Sequence, residues 1–165
     1  MSQVLMTRKE TRALALEVVV NTWRIRLQRL AEAGELLKAS KQALGLDEIP
    51  ERLEEIDRAV RNNNWHLLPP IAILSGREIG IARAAWSDTE KQIYINKNWL
   101  KTAGENEIHS VLDEEFGHFL DNLVKSDDTS GDEGYVFSQI LLSGSSGLNG
   151  KRFFSYENDH IVISL

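Results

Sequence analysis

The sequence contains no cysteine, and this absence excludes disulfide bonds and thiolate metal ligands. It also lacks an apolar run long enough to cross a membrane, so no membrane span is expected. No long basic run occurs and the net charge is −6, so we expect no nucleic-acid partner. Residues Met1 to Glu17 lack the apolar core of a signal peptide. A cytoplasmic location and export without an N-terminal signal peptide therefore both remain open.

Proline is scarce, and the three prolines separate regions with different patterns. In residues 11–44 the apolar side chains recur every three or four positions, which predicts helix. Pro50 opens a second stretch of the same kind, and Pro69-Pro70 ends the helical region. We therefore predict a helical N-terminal segment over residues 1–64 and a second part over residues 69–165, packed as one compact unit.

The second part combines short strands with one long helix. Ile71–Leu74 and Gln92–Asn96 are predicted strands, and residues 79–86 are either a strand or an irregular loop. A helix is predicted from about Glu105 to Val124, and residues 160–165 resemble a strand. The fold class is therefore α+β, with a small and mainly antiparallel sheet.

The most specific pattern in the chain is DEEFGHFLD, at residues 113–121. Residues four apart lie on one face of a helix, so Glu114 and His118 could both bind one metal ion. Glu115 is rotated by about 100° from Glu114 and could stand beside the ion to accept a proton. Asp121 joins the same stripe three residues beyond His118, as a partner of a ligand rather than as a ligand. The spacing is that of a helical metal site.

The same helix also has a purely structural interpretation. Its charged stripe lies roughly opposite an apolar face, and such a stripe is usually only solvated. We expect His109, earlier on this helix, to be a surface residue. Gly117 favours close packing, because glycine inside a helix costs about 1 kcal/mol relative to alanine. The apolar face comprises Ile108, Leu112, Phe116, Phe119 and Leu123.

A second acidic cluster, DDTSGDEG at residues 127–134, follows the helix. A site with one glutamate and one histidine needs a third protein ligand, and Asp132 or Glu133 is the best placed. The alternative is helix capping, because acidic residues stabilise the start of a helix. Calcium is a further possibility for this loop, although the spacing does not match an EF-hand.

The order of strands followed by a helix that carries E-E-x-G-H resembles the core of zincin-type metallopeptidases. The combined pattern E-E-x-G-H-x-x-D followed by G-D-E-G also resembles a domain of large bacterial, especially cyanobacterial, repeat-bearing proteins. The zincin resemblance implies that Glu115 is the general base and that His118 is a metal ligand. Glu114 stands where that family has a histidine. The strand Ile93–Asn96 would then lie at the edge of the sheet and pair with an extended substrate.

These observations predict a metal-dependent hydrolase that acts on a peptide or protein substrate. Its metal would be held by Glu114, His118 and either Asp132 or Glu133. A divalent ion is expected and zinc is favoured, while the carboxylate ligands keep manganese, iron and calcium open. The alternative function is a non-catalytic binding or structural module of a larger bacterial protein, with calcium as a candidate ligand. The sequence does not indicate an oligomeric state.

Overall fold

The computed structural model describes residues 8–125 and 132–143. The predicted strand at residues 160–165 lies outside the described residues, as does the part of the acidic cluster before Asp132. The described helices are α1 (Arg8–Glu32), α2 (Glu35–Ala43), α3 (Glu51–Arg61), α4 (Gly76–Ile79), α5 (Glu105–Val124) and α6 (Glu133–Ser143). The described strands are β1 (Ile71–Leu74), β2 (Ala84–Ser87) and β3 (Gln92–Asn96).

The helical N-terminal part consists of α1, α2 and α3. The predicted stretch at residues 11–44 divides into two helices at Gly34, whose φ of 74° lies in the left-handed region that favours glycine. Pro50 precedes α3 at the N-cap position, where its missing N–H costs nothing. The buried residues of α1 are spaced three or four positions apart and face the core: Leu16, Val20, Trp23, Leu27 and Ala31.

The sheet has three strands in the order β1-β3-β2. β1 pairs with β3 in parallel, and β2 pairs with β3 antiparallel, so the sheet is mixed rather than mainly antiparallel. The expectation that Ile93–Asn96 lies at the sheet edge is wrong, because β3 is the central strand. The tight turn after Ser87 folds β3 back along β2, and β1 occupies the other side of β3. The edge strand that packs against α5 is β2.

Helix α5 joins the two parts of the chain. It begins after Gly104, whose backbone N–H donates a 2.8 Å hydrogen bond to the Glu107 carboxylate. Its fully buried Leu112 and Phe116 belong to a cluster that also includes Leu27 of α1 and Ile93 of β3. One apolar core therefore contains side chains of the helical N-terminal part and of the sheet.

The α+β class and the helical N-terminal part are confirmed. Across the described ranges, no helix combines the length and apolar character that crossing a bilayer requires.

Candidate functional site

The candidate residues lie where α5 crosses α6, and two glycines allow this crossing. A Cβ built on Gly117 would lie 2.7 Å from the Cα of Gly134. A Cβ on Gly134 would lie 2.5 Å from the backbone oxygen of Glu114 and 2.6 Å from Nε2 of His118. Atoms essentially never approach a Cβ so closely, so both positions require glycine. The His118 ring therefore lies against the backbone at the start of α6, one residue from Glu133.

The charged stripe on α5 is not simply a solvated face. Glu115 is 8% exposed and Asp121 is 7% exposed. Glu114 and His118 are half-buried. Burying a charge is costly unless the charge is compensated, and each of these side chains has an interaction within the fold. The structural interpretation of a solvent-facing stripe does not account for them.

Lys125 connects the end of α5 with the start of α6. Its Nζ lies 2.8 Å from Oδ1 of Asp121 and 3.0 Å from Oε1 of Glu133. Partial burial alone would lower the pKa of Lys125, but the hydrogen bonds with both carboxylates outweigh it and raise this pKa. One candidate ligand, Glu133, therefore has an ammonium group as its partner. Asp132 is half-buried, and its backbone oxygen accepts a 2.8 Å hydrogen bond from the N–H of Val136.

A second polar cluster, not predicted from the sequence, fixes α5 against α1. Asp113 is fully buried, accepts a 2.9 Å hydrogen bond from Nε1 of Trp23 and pairs with Arg26 through both carboxylate oxygens. Burial raises the pKa of Asp113, and the charge and hydrogen bonds of Arg26 and Trp23 oppose this rise. The spacing of Trp23 and Arg26 on one face of α1 is the only sequence signal for this cluster.

His109 belongs to the same α1–α5 interface, so the expectation of a surface position is wrong. Its Nε2 lies 3.1 Å from the Thr22 hydroxyl and 3.1 Å from the backbone oxygen of Val19. Residue 109 faces α1 because it lies one helical turn before Asp113 on the same side of α5. These contacts fix the side of α5 that faces α1.

The chemistry of the donor set suits a divalent ion. Zinc accepts a set of two or three carboxylates and one imidazole. Manganese and iron accept such a set more readily, because carboxylates are harder ligands than imidazole. The Lys125 ammonium already occupies a position between two of the acids, and Gly134 leaves space for the His118 ring. Within residues 8–125 and 132–143, however, no three His, Cys, Asp or Glu side chains converge as a metal-holding group. The residue types are those of a metal site, while the Glu133 carboxylate pairs with Lys125.

The surroundings of the site include the edge of the sheet. Trp86 of β2 packs edge-on against Phe119, the residue after His118, with ring centroids 5.4 Å apart. Phe119 in turn stacks on Phe116 at 5.6 Å. These aromatic contacts bind β2 to the helix that carries the candidate ligands.

Comparison of the chain with protein-family models, with curated proteins and with solved structures found no match. The zincin resemblance and the roles that it implies therefore stay predictions.

Proposed function

We propose that the protein is a metal-dependent hydrolase of the zincin type that acts on peptide or protein substrates. The observation that carries this proposal is the close approach of Gly117 and Gly134. It brings the α5 turn with Glu114 and His118 against the start of α6, which carries Asp132 and Glu133. Glu114, His118 and Glu133 are the ligands we favour, with Asp132 as the alternative to Glu133.

The role that we propose for Glu115 rests on its position in the sequence, directly after Glu114 and three residues before His118. A bound divalent ion would polarise a substrate carbonyl and acidify a water molecule. The Glu115 carboxylate would accept a proton from that water and return it to the leaving amine. The Glu115 side chain is 8% exposed, and exclusion of solvent would strengthen its interaction with a bound cation.

A substrate-binding element is also available next to the helix. β2 is an edge strand, and it packs on α5 through Trp86 and Phe119. An extended peptide can add to such an edge by main-chain hydrogen bonds. We therefore assign substrate pairing to Ala84–Ser87 instead of to the strand Gln92–Asn96.

A second function is favoured by the contacts of Lys125. Its ammonium pairs with Asp121 and with Glu133, as expected in a module that keeps this arrangement for binding or for structure alone. Such a module would bind a partner or calcium and would hydrolyse no peptide.

Hydrolysis by matched variants separates the two functions. The full chain is loaded with zinc and incubated with a pool of unstructured peptides, and cleavage is followed by mass spectrometry. We expect Glu115→Gln to bind zinc as well as the unmodified protein does, yet to lose at least about a hundredfold in rate, as removal of a general base requires. Glu55→Gln, an exposed change on α3, is the control and should retain the full rate. No cleavage by the zinc-loaded unmodified protein would favour the non-catalytic module.

A further inference from the structure

Strand β1 has an open edge on the side away from β3. The carbonyl oxygens of Pro70 and Leu74 accept hydrogen bonds of 3.0 and 2.8 Å from N–H groups of β3 and of the residue that follows it. Alternate residues of a parallel strand face the same neighbour, so the N–H and C=O groups of Ile71 and Ile73 point away from β3. Within residues 8–125 and 132–143, no strand pairs with β1 on that side.

An apolar groove of about 360 Å³ lies between α1 and β1. Leu16 and Val20 line it from α1, and Ile71 and Ile73 line it from β1. The two α1 residues are buried in the core one helical turn apart, and the two isoleucines are half-buried. Because the side chains of a strand alternate between its two faces, every second side chain of an added strand would face this groove. The groove therefore suits a chain whose alternate residues are apolar.

Arg24 adds a positive charge to the lining of this groove. Its guanidinium carbon lies 5.3 Å from the centre of the Trp65 ring, and burial lowers the pKa of Arg24. Among the side chains that the structure describes, no Asp or Glu forms an ion pair with Arg24, whereas Arg26 pairs with Asp113. A guanidinium binds a carboxylate through two parallel hydrogen bonds, and partial exclusion of solvent strengthens them. Arg24 therefore favours a ligand that brings a carboxylate to the groove.

We propose that the open edge of β1 and this groove bind an extended segment of a partner protein that carries alternating apolar residues and one acidic side chain. The segment adds to the sheet as a fourth strand, through main-chain hydrogen bonds with Ile71 and Ile73. Its apolar side chains contact Leu16 and Val20, and its carboxylate pairs with Arg24. This binding site is separate from the proposed hydrolase site, whose substrate we assign to the other edge strand, β2.

Fluorescence anisotropy with synthetic peptides tests this binding. The full chain is titrated into a fluorescein-labelled peptide of sequence Ser-Val-Thr-Val-Thr-Asp-Ser, with chelator present so that no metal ion contributes. The peptide of reversed order is titrated as well, because an added strand can run in either direction along β1. One control peptide has Asn in place of Asp. A second control is made in two forms, each with N-methyl groups on a different alternate set of amides, which removes those main-chain donors.

The carboxylate and its partner are tested together. We expect the unmodified protein to bind the Asp peptide about tenfold more tightly than the Asn peptide, as for a hydrogen bond between charged groups. Arg24→Gln should bind the Asp peptide about tenfold more weakly and should no longer distinguish it from the Asn peptide. Arg29→Gln, an exposed change on the same helix, should leave both affinities unchanged. Thermal melts identify the folded variants, and the peptide controls need only the unmodified protein.

Four results would overturn the inference. The first is that neither peptide order binds to the unmodified protein, and the second is equal affinity for the Asp and Asn peptides. The third is full binding of both N-methylated forms, which would exclude strand addition. The fourth is a folded Arg24→Gln protein that still prefers the Asp peptide, because the carboxylate would then bind elsewhere, for example beside β2. Preference for Asp that Arg24→Gln abolishes, together with loss of binding in one N-methylated form, supports the inference.

Discussion

Substitution of Gly134 by alanine tests the helix crossing on which the site depends. The new Cβ would lie 2.5 Å from the backbone oxygen of Glu114 and 2.6 Å from the His118 ring. Overpacking costs about 1–3 kcal/mol, and a clash with backbone belongs at the upper end of that range. Replacing glycine in a helix returns at most about 1 kcal/mol. The net loss in free energy of unfolding is therefore about 2 kcal/mol.

Urea denaturation followed by tryptophan fluorescence measures this loss. In a domain of this size, a loss of about 1 kcal/mol in the free energy of unfolding lowers the melting temperature by roughly 2–4 °C. A fall of about 4–8 °C should therefore accompany the lower urea midpoint. Because the clash also displaces the His118 ring, zinc affinity should fall in the folded variant.

Gly76→Ala is the matched control for this prediction. Its Cβ would approach the side-chain amide of Asn98 at 2.5 Å, and that exposed side chain can move aside. We therefore expect a change within about 0.5 kcal/mol, as for an ordinary surface substitution. A Gly134→Ala protein as stable as the unmodified chain would refute the close approach of α5 and α6.

Two further predictions concern polar groups outside the crossing. Arg26→Met leaves the buried carboxylate of Asp113 without its cation and should lower stability at pH 7 by about 2 kcal/mol, less than for a fully buried pair because the Arg26 side chain is 30% exposed. Burial raises the folded-state pKa of Asp113 above 3.8. The stabilisation that comes from protonating this side chain in the folded protein is therefore fully present below pH 3.8, and it is lost as the pH rises through the folded-state pKa. Removal of Arg26 raises that pKa further, so the loss in free energy of unfolding, measured by urea melts, should shrink toward about pH 4. A loss that does not change with pH would contradict this prediction. An equal loss in the exposed control Arg29→Met would contradict it as well. The Ser75 hydroxyl and N–H donate to Glu78 and lower its pKa below 4.5, so Ser75→Ala should raise that pKa in an NMR titration, and an unchanged pKa would disprove the capping interaction.

Local sequence signals predict much of the fold. The apolar period of three or four residues identifies α1 and α3, and Pro50 sets the start of the latter. Alternation identifies Gln92–Asn96 as a strand, and Glu105–Val124 is helical over its whole predicted length. These signals are local because they arise from the burial of one face of each element.

The sheet order and the polar partners depend on contacts between distant residues. The residues of Gln92–Asn96 do not reveal that a strand pairs on each side of β3. This pairing depends on the position of β1 and on the turn that follows β2. Asp113 meets Trp23 across a separation of 90 residues. Lys125 looks like one more charge on a helical stripe until α6 brings Glu133 to it.

In the candidate site, too, the local features are predictable from the sequence and the contacts between distant residues are not. The spacing of Glu114 and His118 follows from helix geometry, and the glycine between them predicts close packing. The sequence does not identify the partner in that packing, which is a second glycine on α6. It also does not show that Glu115 and Asp121 are buried.

The metal content of the protein purified without chelator, measured by plasma mass spectrometry beside His118→Ala, tests the proposed metal centre. We predict one tightly held divalent ion in each unmodified chain and a loss of most of it in the variant. Equal content in the two proteins, whether high or negligible, would contradict the metal centre at the α5–α6 crossing.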